Sequence, residues 1–517
     1  MSKKTSQYSE VGLEESDINE KRYHEKLSKH FLYPLFFPKN IAVVGASKSG
    51  KKGGITIYLN VYKECGYGID KLPKIYPVNP KYVGELFYDC WRCYKDLYSI
   101  PEKLDIVLCA IKAPQVPNLL RECIDVEAKF LVIYTSGFSE VGGKGISYTN
   151  ELKQILKESN YKTRIIGPNC FGPINSQIDL TFNRIVPYMY KGSFSFFSQS
   201  GGFAHRIIEY GENRGLGINL GLSVGNMIDV DMNDVLDFYM MDDKTKVIGF
   251  YLESVQNYEK GRKFFNKLKE IKNKKPIIIF KGGRTEIGAK SCTSHTGAIA
   301  GSYKIYKAVF KQTNVINVKN SEEFFDIAYL LTKIFPDKLP NGNNMCVIVP
   351  GGGSSVEMSD TFSEAGYYFP PISEHTQQEL VKFLYDVNTN LKNPIDGGAY
   401  SHIPALLLKT IKLIAQEPQI DIIVAVSFVS RLTHGVFKSE DFPEYLSSNL
   451  KRINKKTNKL IVIIPIVDYD NDISIDLNKR LKKHLNKYNI PHFPSINRAA
   501  RTFELLKEFL KKYNKNN

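Results

Sequence analysis

The strongest constraint in this sequence is a series of short, almost wholly apolar runs. They are bounded by glycine or proline and alternate with longer amphipathic stretches. In the first part of the chain these runs are Asn40 to Val44, Lys74 to Val78, Asp105 to Ala110, Phe130 to Tyr134 and Arg164 to Ile166. Runs of this length without alternation suit strands buried on both faces. Amphipathic helices between them imply parallel pairing through right-handed crossovers. The same grammar restarts twice. Ser193 to Phe197, Gly217 to Val224, Val247 to Leu252 and Pro276 to Phe280 form a second set, and Met345 to Val349, Ile420 to Val426 and Leu460 to Ile464 a third. The predicted fold class is therefore α/β, with three consecutive parallel-sheet domains over residues 31–172, 173–335 and 340–511. The length of 517 residues agrees, at roughly 150 residues per domain. The segment Pro336 to Asn344 reads as the clearest linker. Residues 1–30 are polar and lack an apolar period, which predicts a mobile extension, and 512–517 read as a tail.

Composition narrows the function classes. The formal charge of +16 favours anionic ligands in general. The lysine runs at 267–275, 451–459 and 507–515 lack the interleaved aromatics of a single-strand platform, so nucleic acid is not an expected partner. No stretch of about 18 apolar residues marks a membrane span. The N-terminus has no apolar core of a secretory signal, and the expected location is cytoplasmic. Eight cysteines in a chain this long make no disulfide framework. Cys90 and Cys93 form one CxxC, which a redox site would place just before a helix. No second CxxC completes a zinc site, and no metal ligands are assigned.

Several loops fall at the ends of the predicted strands. Gly45-Ala46-Ser47 opens a glycine- and lysine-rich stretch through Lys51, Gly53 and Gly54. Its backbone amides and the helix that follows suit a pyrophosphate, although a tight strand–helix turn has the same composition. Val78-Asn79-Pro80-Lys81, Ile111 to Pro114 and Ser136-Gly137 follow later strands, at the edge where parallel sheets bind ligands. Asn169 lies in the rigid turn Gly167 to Gly172. Ser198-Gln199-Ser200-Gly201 ends a strand and opens a helix; it makes either an anion cradle or a plain N-cap. His205, His375 and His402 stand in contexts that define no site. His295 lies among small hydroxylic and glycine residues, in a stretch that reads as an exposed, flexible loop. Neutral imidazole attacks phosphorus well if its other nitrogen has an acceptor. Glu253, closing the strand Val247 to Leu252, is a candidate acceptor, and a surface histidine with no role is the alternative.

Ten motifs in this order resemble the α subunit of ADP-forming (NDP-forming) acyl-CoA synthetases, of the succinyl-CoA synthetase superfamily. They are Gly45-Ala46-Ser47, Pro77 to Pro80, Gly137 to Glu140, Gly167 to Cys170, Ser198 to Gly201, Gly225-Asn226, Tyr251 to Glu253, Ser294 to Gly297, Gly351 to Gly353 and Asn393 to Asp396. The resemblance implies a Rossmann-like CoA-binding domain followed by two flavodoxin-like domains. It implies that CoA binds at Gly45, Ser47, Lys51, Gly53, Val78, Asn79, Pro80, Lys81, Ile111, Pro114, Ser136, Gly137 and Asn169. It makes His295 the phosphorylated residue, Glu253 its stabilising partner, and Ser198, Gln199, Ser200 and Gly201 part of the phosphate cradle. Acyl-CoA, phosphate and ADP would be interconverted with a carboxylic acid, CoA and ATP. ATP or ADP and Mg²⁺ would be held mainly by a separate ATP-grasp β subunit, because three domains use up the length. A non-catalytic CoA- or acyl-CoA-binding regulatory protein is the alternative. An NAD-linked oxidoreductase ranks last, since Val78-Asn79-Pro80 stands where a ribose-binding acid would be needed.

Overall fold

A computed structural model describes residues 17–48, 66, 72–182, 189–271, 274–296, 302–384, 389–429 and 442–514. The chain divides into two compact units, residues 1–319 and 320–517.

The first unit carries two large sheets. The first sheet uses five of the apolar runs: β1 (Asn40–Val44), β2 (Lys74–Val78), β5 (Ile106–Cys109), β6 (Phe130–Ile133) and β7 (Arg164–Ile166). Between β2 and β5 the chain makes a small antiparallel ribbon, β3 (Leu86–Phe87) with β4 (Trp91–Arg92). The five strands are parallel in the order β2-β1-β5-β6-β7. Their interior residues are buried on both faces, which is why the runs lack alternation. The strand order reverses beside β1, so loops diverge there and leave a crevice at the carboxyl ends.

The second sheet comprises β8 (Gly172–Asn175), β9 (Leu180–Thr181), β10 (Lys191–Ser198), β11 (Ile218–Ser223), β12 (Val247–Leu252), β13 (Ile277–Lys281) and β14 (Val315–Val318). Its order is β14-β13-β12-β10-β11-β8-β9. Strands β10 to β14 are parallel, whereas β8 and β9 add an antiparallel edge. That edge departs from a purely parallel reading, because Gly172 to Asn175 has a turn-like composition. Phe36, Phe130, Phe197, Phe238 and Phe250 belong to one core reached from both sheets. Arg164 at the start of β7 forks onto buried Asp229, with nitrogen–oxygen distances of 2.8, 2.9 and 3.1 Å.

The mobile extension expected for residues 1–30 is corrected over 17–30. Residues 17–27 are helical, and Tyr23 and Leu27 are buried. The Tyr23 hydroxyl donates to Asp242 (2.9 Å) and accepts from Gln177. Lys26 pairs with Asp243, and Lys244 reaches Glu20. Two apolar anchors and these long-range bonds hold a segment whose composition alone reads as solvated.

The second unit contains β15 (Met345–Val349), β16 (Ile395–Asp396), β17 (Ile422–Phe428) and β18 (Leu460–Ile466), parallel in the order β16-β15-β17-β18. The helix Ser321–Ile334, which the sequence division leaves with the preceding domain, packs in this unit against the helix Ile496–Tyr513. Arg498 forks onto Asp326 and Arg501 pairs with Glu323, both acids being buried. Asn393 donates to the carbonyls of Met345 and Pro370, and so pins the Asn393-to-Asp396 motif beside β15.

Candidate functional site

The carboxyl ends of the first sheet bring several expected residues together. Gly45 follows β1 with φ +92°, and a Cβ there would lie 3.0 Å from the Ala110 carbonyl oxygen, so a side chain is excluded. The Asn79 amide, after β2, donates to the Ala46 carbonyl (2.6 Å), while its own oxygen accepts from Lys81 N–H. Thr135 donates to the Ile111 carbonyl (2.7 Å), joining the loops after β5 and β6. Pro114 sits in the 3-10 turn Ala113–Gln115, and Ser136-Gly137 follows β6. Ser47, Val78, Pro80 and Asn169 lie at the same carboxyl ends. Lys51 and Gly53 lie outside the described residues.

Two of the motifs close against each other here. The Glu140 carboxylate accepts from Gly137 N–H (2.6 Å), Phe138 N–H (3.1 Å) and the Asn226 amide (2.6 Å). Burial works to raise the Glu140 carboxyl, but these donors outweigh it and hold it below its ordinary range. Gly225 has φ +51°, and a Cβ there would meet the carbonyl oxygens of Pro168 and Asn169 at 2.2 Å. Asn169 itself donates its N–H to Thr135 O and lies at φ +59°. The Gly167-to-Cys170 and Gly225-Asn226 motifs therefore form the seam between the two sheets of the first unit.

The second cluster lies at the carboxyl ends of β10, β12 and β13. Ser198 pairs with Tyr251 in register, which sets the Ser198-to-Gly201 turn beside Glu253. Ser198 donates its hydroxyl to Ser200 O (2.7 Å), and the Ser200 hydroxyl accepts from Phe203 N–H as the N-cap of the helix Gly201–Arg214. Both hydroxyls thus serve the turn. What this end offers an anion is the first-turn amides and the helix dipole. Gly201 meets the Phe171 ring, 2.8 Å from a would-be Cβ.

The side-chain oxygen of Gln199 is turned onto the backbone of a neighbouring strand end. This buried amide oxygen accepts from the backbone N–H groups of Glu253 (2.5 Å) and Ser254 (3.0 Å). It fixes the corner that carries Glu253. Lys281, fully buried at the end of β13, donates to Glu253 O (2.8 Å) and to Gly282 O, with its ammonium 4.7 Å from the Tyr306 ring centre. Burial lowers the Lys281 amine to about 8 against the opposing pull of Cys292 and Glu253. Burial likewise raises Tyr251, whose hydroxyl is bonded to Glu253. A Cβ on Gly282 would lie 2.9 Å from the Tyr251 hydroxyl oxygen. Tyr251, Lys281 and Gly282 were not singled out in the sequence as site residues. The detectable signal was Lys281, a charge closing the apolar run Ile277 to Phe280.

The loop expected around His295 is corrected in part: the backbone of Glu286–Thr296 is helical, and His295 lies in its last turn. The His295 side chain and residues 297–301 lie outside the described residues. One turn earlier on this helix, buried Cys292 interacts electrostatically with Glu253 and Lys281, and burial raises its thiol. The same helix packs beside the 3-10 turn Ser139–Val141, next to Ser136-Gly137. It therefore runs between the first-sheet loops and Glu253.

The CxxC carries no redox chemistry visible here. Cys90 and Cys93 are free and flank β4 instead of preceding a helix, and burial raises the Cys93 thiol. His205 lies within the helix Gly201–Arg214, and His375 and His402 lie in the second unit. Among the described residues, no group of three or more His, Cys, Asp or Glu could hold a metal, and no helix is long and apolar enough to cross a membrane.

Comparison with known proteins follows the two sheets of the first unit. Residues 39–175 match a family described as CoA binding domain, and 191–331 one described as succinyl-CoA ligase like flavodoxin domain. The chain is 33% identical over 396 residues to acetate–CoA ligase [ADP-forming] I of Archaeoglobus fulgidus, covering 76% of this chain but only 54% of that protein. It thus spans about half that relative's length. It is 32% identical to the acetate–CoA ligase [ADP-forming] II subunit alpha of Pyrococcus furiosus, covering 89% of this chain and 93% of that subunit. Among solved structures, the dinucleotide-forming acetyl-coenzyme A synthetase 1 of Ca. Korarchaeum cryptofilum, in complex with phosphate and ADP, superposes with a TM-score of 0.79. The two are 30% identical, and the match covers 93% of this chain and 97% of the other. With two matched domains in sequence and a relative covered almost end to end, the chain belongs to the ADP-forming acetate–CoA ligase family and corresponds in extent to an alpha subunit.

Proposed function

We propose that this chain is the CoA-binding, phosphoryl-carrying subunit of an ADP-forming acyl-CoA synthetase. It would interconvert acyl-CoA, phosphate and ADP with a carboxylic acid, CoA and ATP. The observation that carries the proposal is the position of the His295 helix, between the loop edge of the first sheet and the Glu253 corner braced by Gln199 and Lys281. Residues three apart on a helix share a face, so Cys292, at Glu253, and His295 belong to one side of that helix.

In the proposed sequence, CoA occupies the loops at Gly45, Asn79, Ile111 and Gly137. A phosphate oxygen attacks the thioester carbonyl, the carbon–sulfur bond breaks, and the CoA thiolate leaves. A His295 nitrogen then attacks phosphorus of the acyl phosphate and the carboxylate departs. The Glu253 carboxylate accepts a hydrogen bond from the N–H of the ring's other nitrogen and stabilises the ring's positive charge. The amides opening the helix Gly201–Arg214 receive the phosphoryl oxygens. Transfer to ADP completes the cycle, with Mg²⁺ and nucleotide on an ATP-grasp partner. The alpha-subunit relative supports a partner chain. All seven described cysteines are free, which supports a cytoplasmic location.

The test is incubation of the purified chain with radiolabelled acetyl phosphate. Acid-labile, base-stable label should appear on the wild type and vanish in His295→Ala, with CoA affinity unchanged within about twofold. A labelled His295→Ala protein would sink the mechanism.

A further inference from the structure

The opposite end of the first sheet carries a second concavity with no part in the chemistry above. Its cavity, about 670 Å³, opens at the amino ends of the parallel strands. Lys39 precedes β1, Asp105 precedes β5, Phe130 begins β6 and Arg164 begins β7. The remaining wall comes from Lys129, Tyr161 and Lys162 and from residues 28–37, the last ahead of the matched CoA-binding domain, which starts at residue 39. A parallel strand rises about 3.3 Å per residue, so this cavity and the proposed CoA edge are separated by roughly the length of a five-residue strand.

Its lining has a definite character. Five cationic side chains, Lys29, Lys39, Lys129, Lys162 and Arg164, face one carboxylate, Asp105. Asp105 is buried and engaged: it accepts from Lys39 N–H (2.6 Å) and from the Lys129 ammonium (2.8 Å). Arg164 is answered from outside the cavity by Asp229. Lys29, Lys39 and Lys162 form no ion pair of 4 Å or less among the described residues. The cavity thus holds a net positive charge that its own acids do not cancel.

Between these cations stand exposed rings. Phe31 is 39% and Tyr161 49% exposed. The Arg164 guanidinium carbon lies 4.5 Å from the Phe31 ring centre and 5.8 Å from that of Tyr161, which orients both rings. Phe31 also stacks on Phe130 in the floor, at 6.5 Å. Phe31 is itself flanked, by Arg164 and by His30 stacked on it at 5.0 Å, so the ring that faces a planar base is Tyr161, and the lysines beside it complete a pair of recognition elements for a phosphorylated molecule with such a base. The volume lies within the range of small-molecule sites.

We propose that this cavity binds a nucleoside phosphate, with the phosphates on Lys39 and Lys162 and the base against Tyr161. The site is distinct from the CoA edge and does not rest on the acyl-CoA reading. Its test is titration of the full chain with N-methylanthraniloyl-ADP, followed by fluorescence anisotropy, in the wild type and in Lys39→Glu/Lys162→Glu. Both lysines are exposed, so the variant retains its fold, which circular dichroism checks. Affinity for the probe should fall by about tenfold or more, since each reversed charge acts at contact distance. CoA affinity, measured by calorimetry, should stay within about twofold. Tyr161→Ala should weaken the probe while leaving competition by pyrophosphate unchanged, which separates base recognition from simple anion binding. Equal probe affinity in wild type and double variant, or a parallel loss of CoA binding, overturns the proposal. So does a Tyr161→Ala protein that holds the probe as tightly as the wild type.

Discussion

Replacing Gln199 by leucine tests whether the Glu253 corner is held in place or merely lies there. The side chain is 2% exposed, and its single oxygen serves two buried backbone donors, Glu253 N–H and Ser254 N–H. Leucine conserves approximate volume and removes the acceptor. Each buried donor left unpaired costs about 1–3 kcal/mol, less whatever local relaxation recovers. A loss of about 2 kcal/mol in the local opening free energy corresponds to roughly 30-fold faster amide exchange, at about 1.4 kcal/mol per factor of ten. Hydrogen-exchange mass spectrometry on a peptide spanning residues 251–256 reads this directly. The phosphoenzyme yield from labelled acetyl phosphate should fall in the same variant, because the carboxylate loses its backbone anchor. Glu253→Gln separates the two effects: the yield should fall while amide protection persists, since Gln199 still holds the corner. Wild-type exchange and wild-type yield in Gln199→Leu would refute the assignment of Gln199 as a positioning residue.

Other substitutions probe the remaining parts. Asn79→Ala removes the bond to Ala46 O and should weaken CoA by roughly five- to tenfold in calorimetry, the value of about one hydrogen bond, with little change in stability. Gly225→Ala drives a Cβ into two carbonyl oxygens at a positive φ, so it should destabilise the first unit by about 3 kcal/mol or more, read by denaturant unfolding. The Lys281 amine is lowered to about 8 from an ordinary 10.5. The unfolded chain therefore binds the extra proton between these values, and stability should rise with pH across that window. In Lys281→Met that rise should be diminished, as urea titrations from pH 8 to 10 would show.

The strands of the sheets were legible because burial on both faces leaves a run such as Ile106 to Cys109 no room for a polar residue. The glycines were legible for a related reason, since backbone packed against backbone, as at Gly45 and Ala110, excludes a side chain. Ten motifs in order carried the family. Less legible were β8 and β9, whose Gly172-Pro173 opening has a turn's composition and becomes a strand only by pairing with β11. The helix Ser321–Ile334 could not be assigned from local pattern, because its partners Arg498 and Arg501 lie more than 170 residues away.

Sequence alone determined which residue types stand at the strand ends, since periodicity and turn chemistry are local. Tertiary structure decided what those residues do. Gln199 sits in a phosphate-like motif, yet its side-chain oxygen is turned onto the backbone of Glu253, 54 residues later. Tyr23 lies in a polar leader yet is buried against Asp242. In both cases one long-range hydrogen bond between buried groups outweighs the local preference. Buried polar atoms must find partners wherever the fold supplies them, and no neighbouring residue announces which partner that will be.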